Sequence, residues 1–340
     1  MANAQTKASA YKEAGVNLET NEASLALIQD AVEATYNEHV LSGIGAFGGL
    51  FDGTALRGFD EPVLVASTDS VGTKSMLAVS LGIYDTIGID LVNHCINDIL
   101  VQGAKPLFFM DYIAAANLEP SLSATLIAGI SQACRDTGTV LLGGEMAELP
   151  GVYKGKEFDL VGTVVGVVAK ADVVSGDAIQ EGDALLALMS GGLQTNGYTL
   201  ARTVLAKRLQ EPFETHTVGL ELLTPHRNYL TPVNALLGKG LIKGLAHITG
   251  GGIAGNLPRI LPKGLGATVQ LNSWSVPAIF NLIQDVGKVD TAEMYHVFNM
   301  GAGMLVVCNV QDIPEVQATC PEDIIAIGTI THGEGVDFLP

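Results

Sequence analysis

Apolar runs of strand length recur through this chain with helical stretches between them, and no other feature of the sequence limits the fold as much. In the first half, Val63 to Ser67, Leu107 to Ala114, Val140 to Gly143 and Val161 to Ala169 read as strands. Helices are predicted over 22–41, 84–102 and 122–137. The first places Leu25, Ile28, Val32 and Tyr36 at helical spacing and has Asn21 as its cap. The polar segment Lys170-Ala171-Asp172-Val173-Val174-Ser175-Gly176-Asp177 then breaks the pattern, which resumes with strands at Ala184 to Met189, Ala267 to Leu271, Met304 to Cys308 and Ile324 to Ile330. Helices are expected near 197–209, 226–237 and 276–286. The prediction is a two-domain α/β fold of the α+β type, divided into residues 1–170 and 171–340. A length of 340 residues, 48% of them hydrophobic, is ample for two such units.

A formal net charge of -18 repels polyanions, so neither nucleic acid nor an anionic membrane is an expected partner. An anionic substrate must be captured locally, by a metal ion, a few basic side chains or backbone N–H groups. Cys95, Cys134, Cys308 and Cys320 form no CxxC pair and the seven histidines form no HExxH, so sequence spacing offers no structural zinc site. The segment Met1 to Lys7 lacks the apolar core of a signal peptide, and no apolar run approaches a membrane span. A cytoplasmic protein with reduced thiols is expected.

Two acidic motifs carry the strongest chemical signal. Thr68-Asp69-Ser70-Val71-Gly72-Thr73-Lys74 closes an apolar run, and Gly88-Ile89-Asp90-Leu91-Val92-Asn93-His94-Cys95-Ile96-Asn97-Asp98 follows it. An aspartate leaving a strand, a nearby lysine and a second acidic stripe are the parts needed to hold a divalent cation against a phosphate chain. On a helical wheel Asp90, Asn93, His94, Asn97 and Asp98 share a side. That side reads either as a wet surface or as a ligand set. The second reading draws on composition, since Asp, Asn and His are weak helix formers where Glu, Lys or Arg would serve a solvated face better. Asp69 alone reads equally well as a turn residue. Gly143-Gly144-Glu145-Met146-Ala147-Glu148-Leu149-Pro150-Gly151 supplies further carboxylates in what reads as a surface turn.

Glycine motifs supply anion sites of a second kind. Gly43-Ile44-Gly45-Ala46-Phe47-Gly48, with Gly49 after it, matches GxGxxG but has no strand before it and no helix after it. It is a surface loop or a phosphate cover. No Walker A sequence is present. Thr249-Gly250-Gly251-Gly252 after His247, and Gly191 to Tyr198 including Asn196, stand at strand-to-helix junctions, either as plain turns or as anion-approach loops.

Taken in order, these blocks resemble the phosphoribosylformylglycinamidine cyclo-ligase family, also called aminoimidazole ribonucleotide synthetase. Tyr11-Lys12-Glu13-Ala14-Gly15-Val16, Val101 to Tyr112 and Phe298-Asn299-Met300-Gly301-Ala302-Gly303-Met304 extend the likeness from about residue 11 to residue 305. The resemblance implies ATP-dependent ring closure of formylglycinamidine ribonucleotide, with Mg2+, in a homodimer whose N-terminal sheets pair across the interface. It implies Asp69, Lys74 and Asp98 as catalytic residues, with Asp69 and Asp98 as metal ligands. Gly43, Gly45, Gly48, Gly49, Asp90, Asn97 and Glu145 fall to the nucleotide, and Asn196, His247, Thr249, Gly250, Gly251 and Gly252 to the ribonucleotide. Some features depart from the family pattern: Ala31 to Thr35 contains no lysine, Gln194 stands where some members have His, Ser70 replaces a glycine and Met146 a threonine. Gln194 cannot titrate as a general acid or base. Two rivals are another ATP-dependent synthetase or kinase of the superfamily, and a non-catalytic nucleotide-binding scaffold. A selenophosphate synthetase would place a reactive Cys early, and residues 1–60 contain none. The hydrogenase maturation factors end in Cys, and the sequence here ends Asp337-Phe338-Leu339-Pro340.

Overall fold

The computed structural model describes residues 18–340; the Tyr11 to Val16 motif and the Met1 to Lys7 segment lie outside them. Helix α1 (Leu18–Glu33) begins before Asn21, which therefore lies inside the helix rather than capping it, and ends well short of residue 41. The first sheet contains β1 (Pro62–Ser70), β2 (Lys105–Ala115), β3 (Val140–Glu148) and β4 (Phe158–Ala169) in the order β1-β4-β2-β3. The β1–β4 and β4–β2 pairs are antiparallel and β2–β3 is parallel. Helices α2 (Lys74–Leu81), α3 (Ile87–Leu100) and α4 (Pro120–Thr137) complete this half. Pro120 opens α4 with a preset φ, and Gly138 at φ 66° closes it in the left-handed region. Helices α3 and α4 cross closely because Gly88 has no side chain: a β-carbon there would collide with the backbone of Leu126 and Ile130.

The second sheet has the order β12-β9-β11-β5-β10-β8, from β5 (Ala184–Met189), β8 (Gly244–His247), β9 (Leu265–Gln270), β10 (Ala302–Cys308), β11 (Ile324–His332) and β12 (Val336–Leu339), with a small hairpin of β6 (Pro212–Phe213) and β7 (His216–Thr217) outside it. All pairings in the large sheet are antiparallel except β12–β9. Strands β5 and β10 are the buried centre, which is why Ala184 to Met189 and Ala302 to Cys308 are almost purely apolar. The helices are α5 (Tyr198–Leu205), α6 (Val218–Leu222), α7 (Leu230–Leu237), α8 (Gly252–Asn256), α9 (Ala278–Gly287), α10 (Thr291–Val297) and α11 (Ile313–Thr319).

One hydrophobic cluster runs across both halves, joining Leu91, Ile96 and Phe109 to Tyr198, Phe280 and Phe298. The polar side of α3 faces this junction. Asp90, Asn93, His94 and Asn97 are buried, so the wet-face alternative for this stripe does not hold. The segment preceding α7 is bonded along the helix: Asn93 Nδ2 donates to the His226 carbonyl (2.8 Å), Asn97 Nδ2 to the Arg227 carbonyl (2.8 Å), and Tyr229 N–H donates to Asn97 Oδ1 (3.1 Å). Asp90 Oδ1 accepts the His226 N–H at 2.6 Å and the Lys74 ammonium at 2.8 Å. Lys74 Nζ also donates to the carbonyls of Gln194 (3.2 Å) and Thr224 (2.8 Å). Burial draws both Lys74 and Asp90 toward their neutral forms. Three acceptors around Nζ nevertheless match the three hydrogens of an ammonium, and the pair is ionised.

These contacts correct three expectations. Lys74 is fully buried with its hydrogens spent on protein acceptors, so it is not available to a phosphate chain. Asp90 and Asn97 likewise fasten the two halves together and do not reach a nucleotide. Gln194, at φ 64° and buried, completes the same joint through its carbonyl and through Nε2, which donates to the Tyr229 hydroxyl.

Candidate active site

Asp69 leaves β1 and Asp98 ends the polar side of α3, and both carboxylates converge on His94. Its Nε2 lies 2.7 Å from Asp69 Oδ2 and 3.9 Å from Asp98 Oδ2. Asp98 Oδ1 meets His247 Nδ1 at 2.9 Å and its Oδ2 accepts from the Ser67 hydroxyl at 3.0 Å. A chain of contacts closes behind the carboxylates. His94 Nδ1 lies 2.5 Å from Thr195 Oγ1, Thr195 Oγ1 is 3.2 Å from His226 Nδ1, and His226 Nε2 is 3.1 Å from His247 Nε2.

Hydrogen counting limits the protonation states open to this ring. From Asp69 through His94, Thr195, His226 and His247 to Asp98 there are five contacts. Three neutral imidazoles and one hydroxyl provide only four hydrogens. The fifth contact needs one further proton or a bound cation in place of a hydrogen, and His94 is the histidine that most favours the extra charge. Burial alone lowers the His94 pKa, but the hydrogen bond and charge of Asp69, with the charges of Asp98 and Asp90, outweigh it and raise it. His226 is held far below its usual range by burial and by the neighbouring His94, His247 and Lys74. His247 is also lowered, burial prevailing over its bond to Asp98. Against the desolvation that would raise them, both carboxylates are lowered, Asp69 by His94 and Asp98 by His247, His94 and Ser67. The ring therefore presents two ionised carboxylates, 41% and 28% exposed, on a buried base of imidazoles.

His247 ends β8, and the turn after it carries the ribonucleotide candidates. Asn256 Nδ2 pins that turn by donating to the carbonyls of Thr249 (3.3 Å), Gly250 (3.2 Å) and Gly252 (2.9 Å). Gly251 sits at φ 97° and Gly252 at φ 60°, where side chains are strained. Asn196 faces Gly250, and its Nδ2 is buried with no hydrogen-bond partner among the described residues. An unmatched donor at a glycine turn suits an incoming oxygen anion.

Gly43, Gly45, Gly48 and Gly49 line a separate cavity of about 490 Å³ together with Leu25, Asp111 and Glu145. Strand β3 continues through Glu148, so Glu145 belongs to a strand and not to a surface turn. Register places Asp69, Gly162, Asp111 and Gly144 in one row across four strands, which brings this cavity beside the carboxylate site. Burial pushes the Asp111 carboxyl up to about 7. A carboxyl that ionises in the unfolded chain near its ordinary value but stays neutral in the folded one makes stability fall from about pH 4 until pH 7. Asp111→Asn should therefore raise the unfolding free energy at pH 8, by a few kcal/mol at most, with the gain fading toward pH 4. Equal stability of the two proteins at pH 8 in urea titrations would show that the carboxyl is ionised and solvated in the fold.

Residues 52–168 match the N-terminal domain of the AIR synthase related proteins, and residues 180–339 match their C-terminal domain. The sequence is 45% identical to the phosphoribosylformylglycinamidine cyclo-ligase of Bacillus mycoides (strain KBAB4), with 98% of each chain covered. It is equally close to the enzyme of the same name from Bacillus cereus (strain B4264), over 97% of this chain and 98% of the other. The chain belongs to the phosphoribosylformylglycinamidine cyclo-ligase family. The fold is shared more widely. HypE of E. coli, a hydrogenase maturation protein, superposes with a TM-score of 0.70 at 16% identity over 94% of both chains. Thiamine-monophosphate kinase of Stenotrophomonas maltophilia K279a gives 0.66 at 16% identity over 93% and 95%. A HypE in complex with ATP gives 0.64 at 18%, covering 94% of this chain and 88% of that one.

For this member of the cyclo-ligase family, Asp69, Asp98 and His247 meet in one place, while Asn196 and Thr249 to Gly252 form an adjoining corner. Lys74, Asp90 and Asn97 lie beneath, as structural members. Sequence reasoning missed His226, Thr195 and Asp111 as site residues and took His94 only as part of a polar stripe. A histidine in the segment Pro225-His226-Arg227-Asn228, between two apolar helices, was the one available hint for His226.

Proposed function

We propose that this cyclo-ligase family member closes the imidazole ring of formylglycinamidine ribonucleotide at the carboxylate–imidazole site, giving aminoimidazole ribonucleotide, ADP and phosphate in purine biosynthesis. The observation that carries the residue assignment is the convergence of Asp69 and Asp98, from different elements, on His94. The amide-type oxygen of the substrate takes the γ-phosphoryl group of ATP, an internal nitrogen attacks the activated carbon, and phosphate leaves. Such a transfer needs neutralised charge and alignment more than covalent help.

Mg2+ fits the two carboxylates. Each is partly exposed and oriented from behind by an imidazole, the outer support that metal-binding carboxylates need. Bound there, the ion would shield the phosphate charge. Asp69 and Asp98 would hold it, Ser67 and His247 fix Asp98, and His94, in contact with both carboxylates, favours their ionised forms. The glycine loop from Gly43 to Gly49 covers the nucleotide over the cavity that contains Glu145. Asn196 and the turn at Gly250 to Gly252 receive the ribonucleotide phosphate through backbone and amide donors.

Incubation of the purified protein with formylglycinamidine ribonucleotide, ATP and Mg2+ tests the assignment directly: ADP and the aminoimidazole should appear in equal amounts. ATP turnover without the aminoimidazole would reject the cyclisation. Gly250 is the informative position in the turn, since its β-carbon would meet only Asn196 Oδ1 at 3.3 Å, whereas Gly251 and Gly252 are strained by any side chain. Gly250→Ala should raise the KM for the ribonucleotide about tenfold with little effect on that for ATP. Equal changes in both constants would remove the phosphate from this corner.

The homodimer reading rests on the outer face of the first sheet. Leu64, Ala66 and Thr68 are exposed on β1, and Val161, Thr163 and Val165 on β4 are only half covered, although the strands are apolar. A second copy placed on this face would bury it, as apolar sheet faces require. Sedimentation at micromolar concentration should give twice the chain mass of 35.4 kDa, and an active monomer would exclude the pairing.

A further inference from the structure

The three buried histidines form a nearly equilateral group. Ring centroids of His94, His226 and His247 are 5.1 to 5.2 Å apart, with planes inclined at 62° to 69°. A donor atom from each of His94, Asp98 and His247 lies within 4.8 Å of the other two. Each imidazole is braced by a further polar group. Asp69 stands 2.7 Å from His94 Nε2, Thr195 Oγ1 holds Nδ1 of both His94 and His226, and His226 Nε2 stands 3.1 Å from His247 Nε2. Metal-binding histidines are characteristically oriented in this way by carboxylates and hydroxyls.

We propose that His94, Asp98 and His247 are the protein ligands of a divalent transition metal that accepts imidazole, of the Zn2+ and Co2+ class. Two nitrogens and one carboxylate suit such an ion, whereas Mg2+ takes oxygen ligands in a strict octahedron. Partial exposure of Asp98 leaves the outer side of the metal open to water or to a substrate oxygen. His226 lies against His247, its Nε2 3.1 Å from His247 Nε2, and sets the orientation of that ring from behind. Sequence spacing gave no hint of this, because the ligands come from α3 and β8, about 150 residues apart. The site shares Asp98 with the cyclisation, and also His94 and His247, which position the carboxylates there, but its metal affinity is measured without that reaction.

Metal-free protein titrated separately with Co2+, Zn2+ and Mg2+ decides the matter, with Co2+ followed by visible absorption, Zn2+ by competition with a chromophoric chelator and Mg2+ by calorimetry. One Zn2+ should bind per chain at least ~100-fold more tightly than Mg2+, and Co2+ should develop the strong bands of a low-coordinate nitrogen site. His94→Ala and His247→Ala should each weaken Zn2+ binding by about 100-fold, and Asp98→Asn, at a partly exposed position that tolerates change, by at least ~10-fold. His332→Ala, at an exposed histidine, should bind as the parent does. Circular dichroism confirms that each variant is folded. Zn2+ held no more tightly than Mg2+, or unmoved affinity in the folded ligand variants, overturns the assignment. ADP formation driven by Mg2+ in a protein indifferent to Zn2+ would overturn the metal site and leave the cyclisation standing. Tight Zn2+ binding in a protein that forms no ADP would support the site and remove the cyclisation.

Discussion

Lys74→Ala should cost about 3–5 kcal/mol of stability, the scale for leaving one member of a buried ion pair without its partner. The variant strands Asp90, which is fully buried and whose Oδ2 already lacks a hydrogen bond among the described residues, and it frees the carbonyls of Gln194 and Thr224. Replacing both charges, as Lys74→Met with Asp90→Leu, should recover part of the loss but not all. The two carbonyls and the His226 N–H would still lack partners. Urea titrations measure this, and a Lys74→Ala protein within 1 kcal/mol of the parent would mean that the lysine is not an anchor. The result also separates two roles. A phosphate-binding lysine would change the KM for ATP and leave folding alone.

Asp98→Asn should lower turnover by about a hundredfold or more, the effect of removing one charge-stabilising group, while Mg2+-ATP binding weakens in calorimetry. The substitution is nearly isosteric, and the amide oxygen still accepts from His247. The charge-assisted bond is lost, so stability should fall by no more than about 2 kcal/mol. Relief of repulsion between Asp69 and Asp98 offsets only part of this, since His94 lies between the two carboxylates. Full activity of Asp98→Asn at limiting Mg2+ would show that the carboxylate serves only to orient His247.

The longer strands and most longer helices could be read from the sequence because apolar periodicity is local. Ala184 to Met189 was placed to the residue and the other predicted strands overlap observed ones, while the short strands β6, β7, β8 and β12 were missed. Short helices such as Thr291–Val297 and Ile313–Thr319 escaped because one or two turns hold too few apolar repeats to stand out. Asp69 and Asp98 were recognisable because each stands in a motif of its own, Asp69 at the exit of an apolar run and Asp98 at the end of a polar stripe. The helix stripe between Asp90 and Asp98 was correctly seen as polar, yet its purpose was not legible. What touches it is the segment from Thr224 to Tyr229, more than 125 residues downstream, and no local pattern reports a partner that distant. His226 was invisible for the same reason, its meaning arising only where three chain segments meet.

The buried polar seam along α3 limits how this enzyme could be rebuilt. Asn93 and Asn97 read backbone atoms of Arg227, Tyr229 and their neighbours at fixed spacing, and Lys74 reads two carbonyls from separate loops. A chimera joining residues 1–175 to the corresponding C-terminal half of a distant relative would have to reproduce that spacing to within a hydrogen-bond length. Otherwise a charge and several amides would be sealed in without partners. The two halves are therefore inherited as a matched pair rather than as interchangeable modules, and laboratory recombination should yield soluble protein only when the crossover carries the 224–229 segment together with α3.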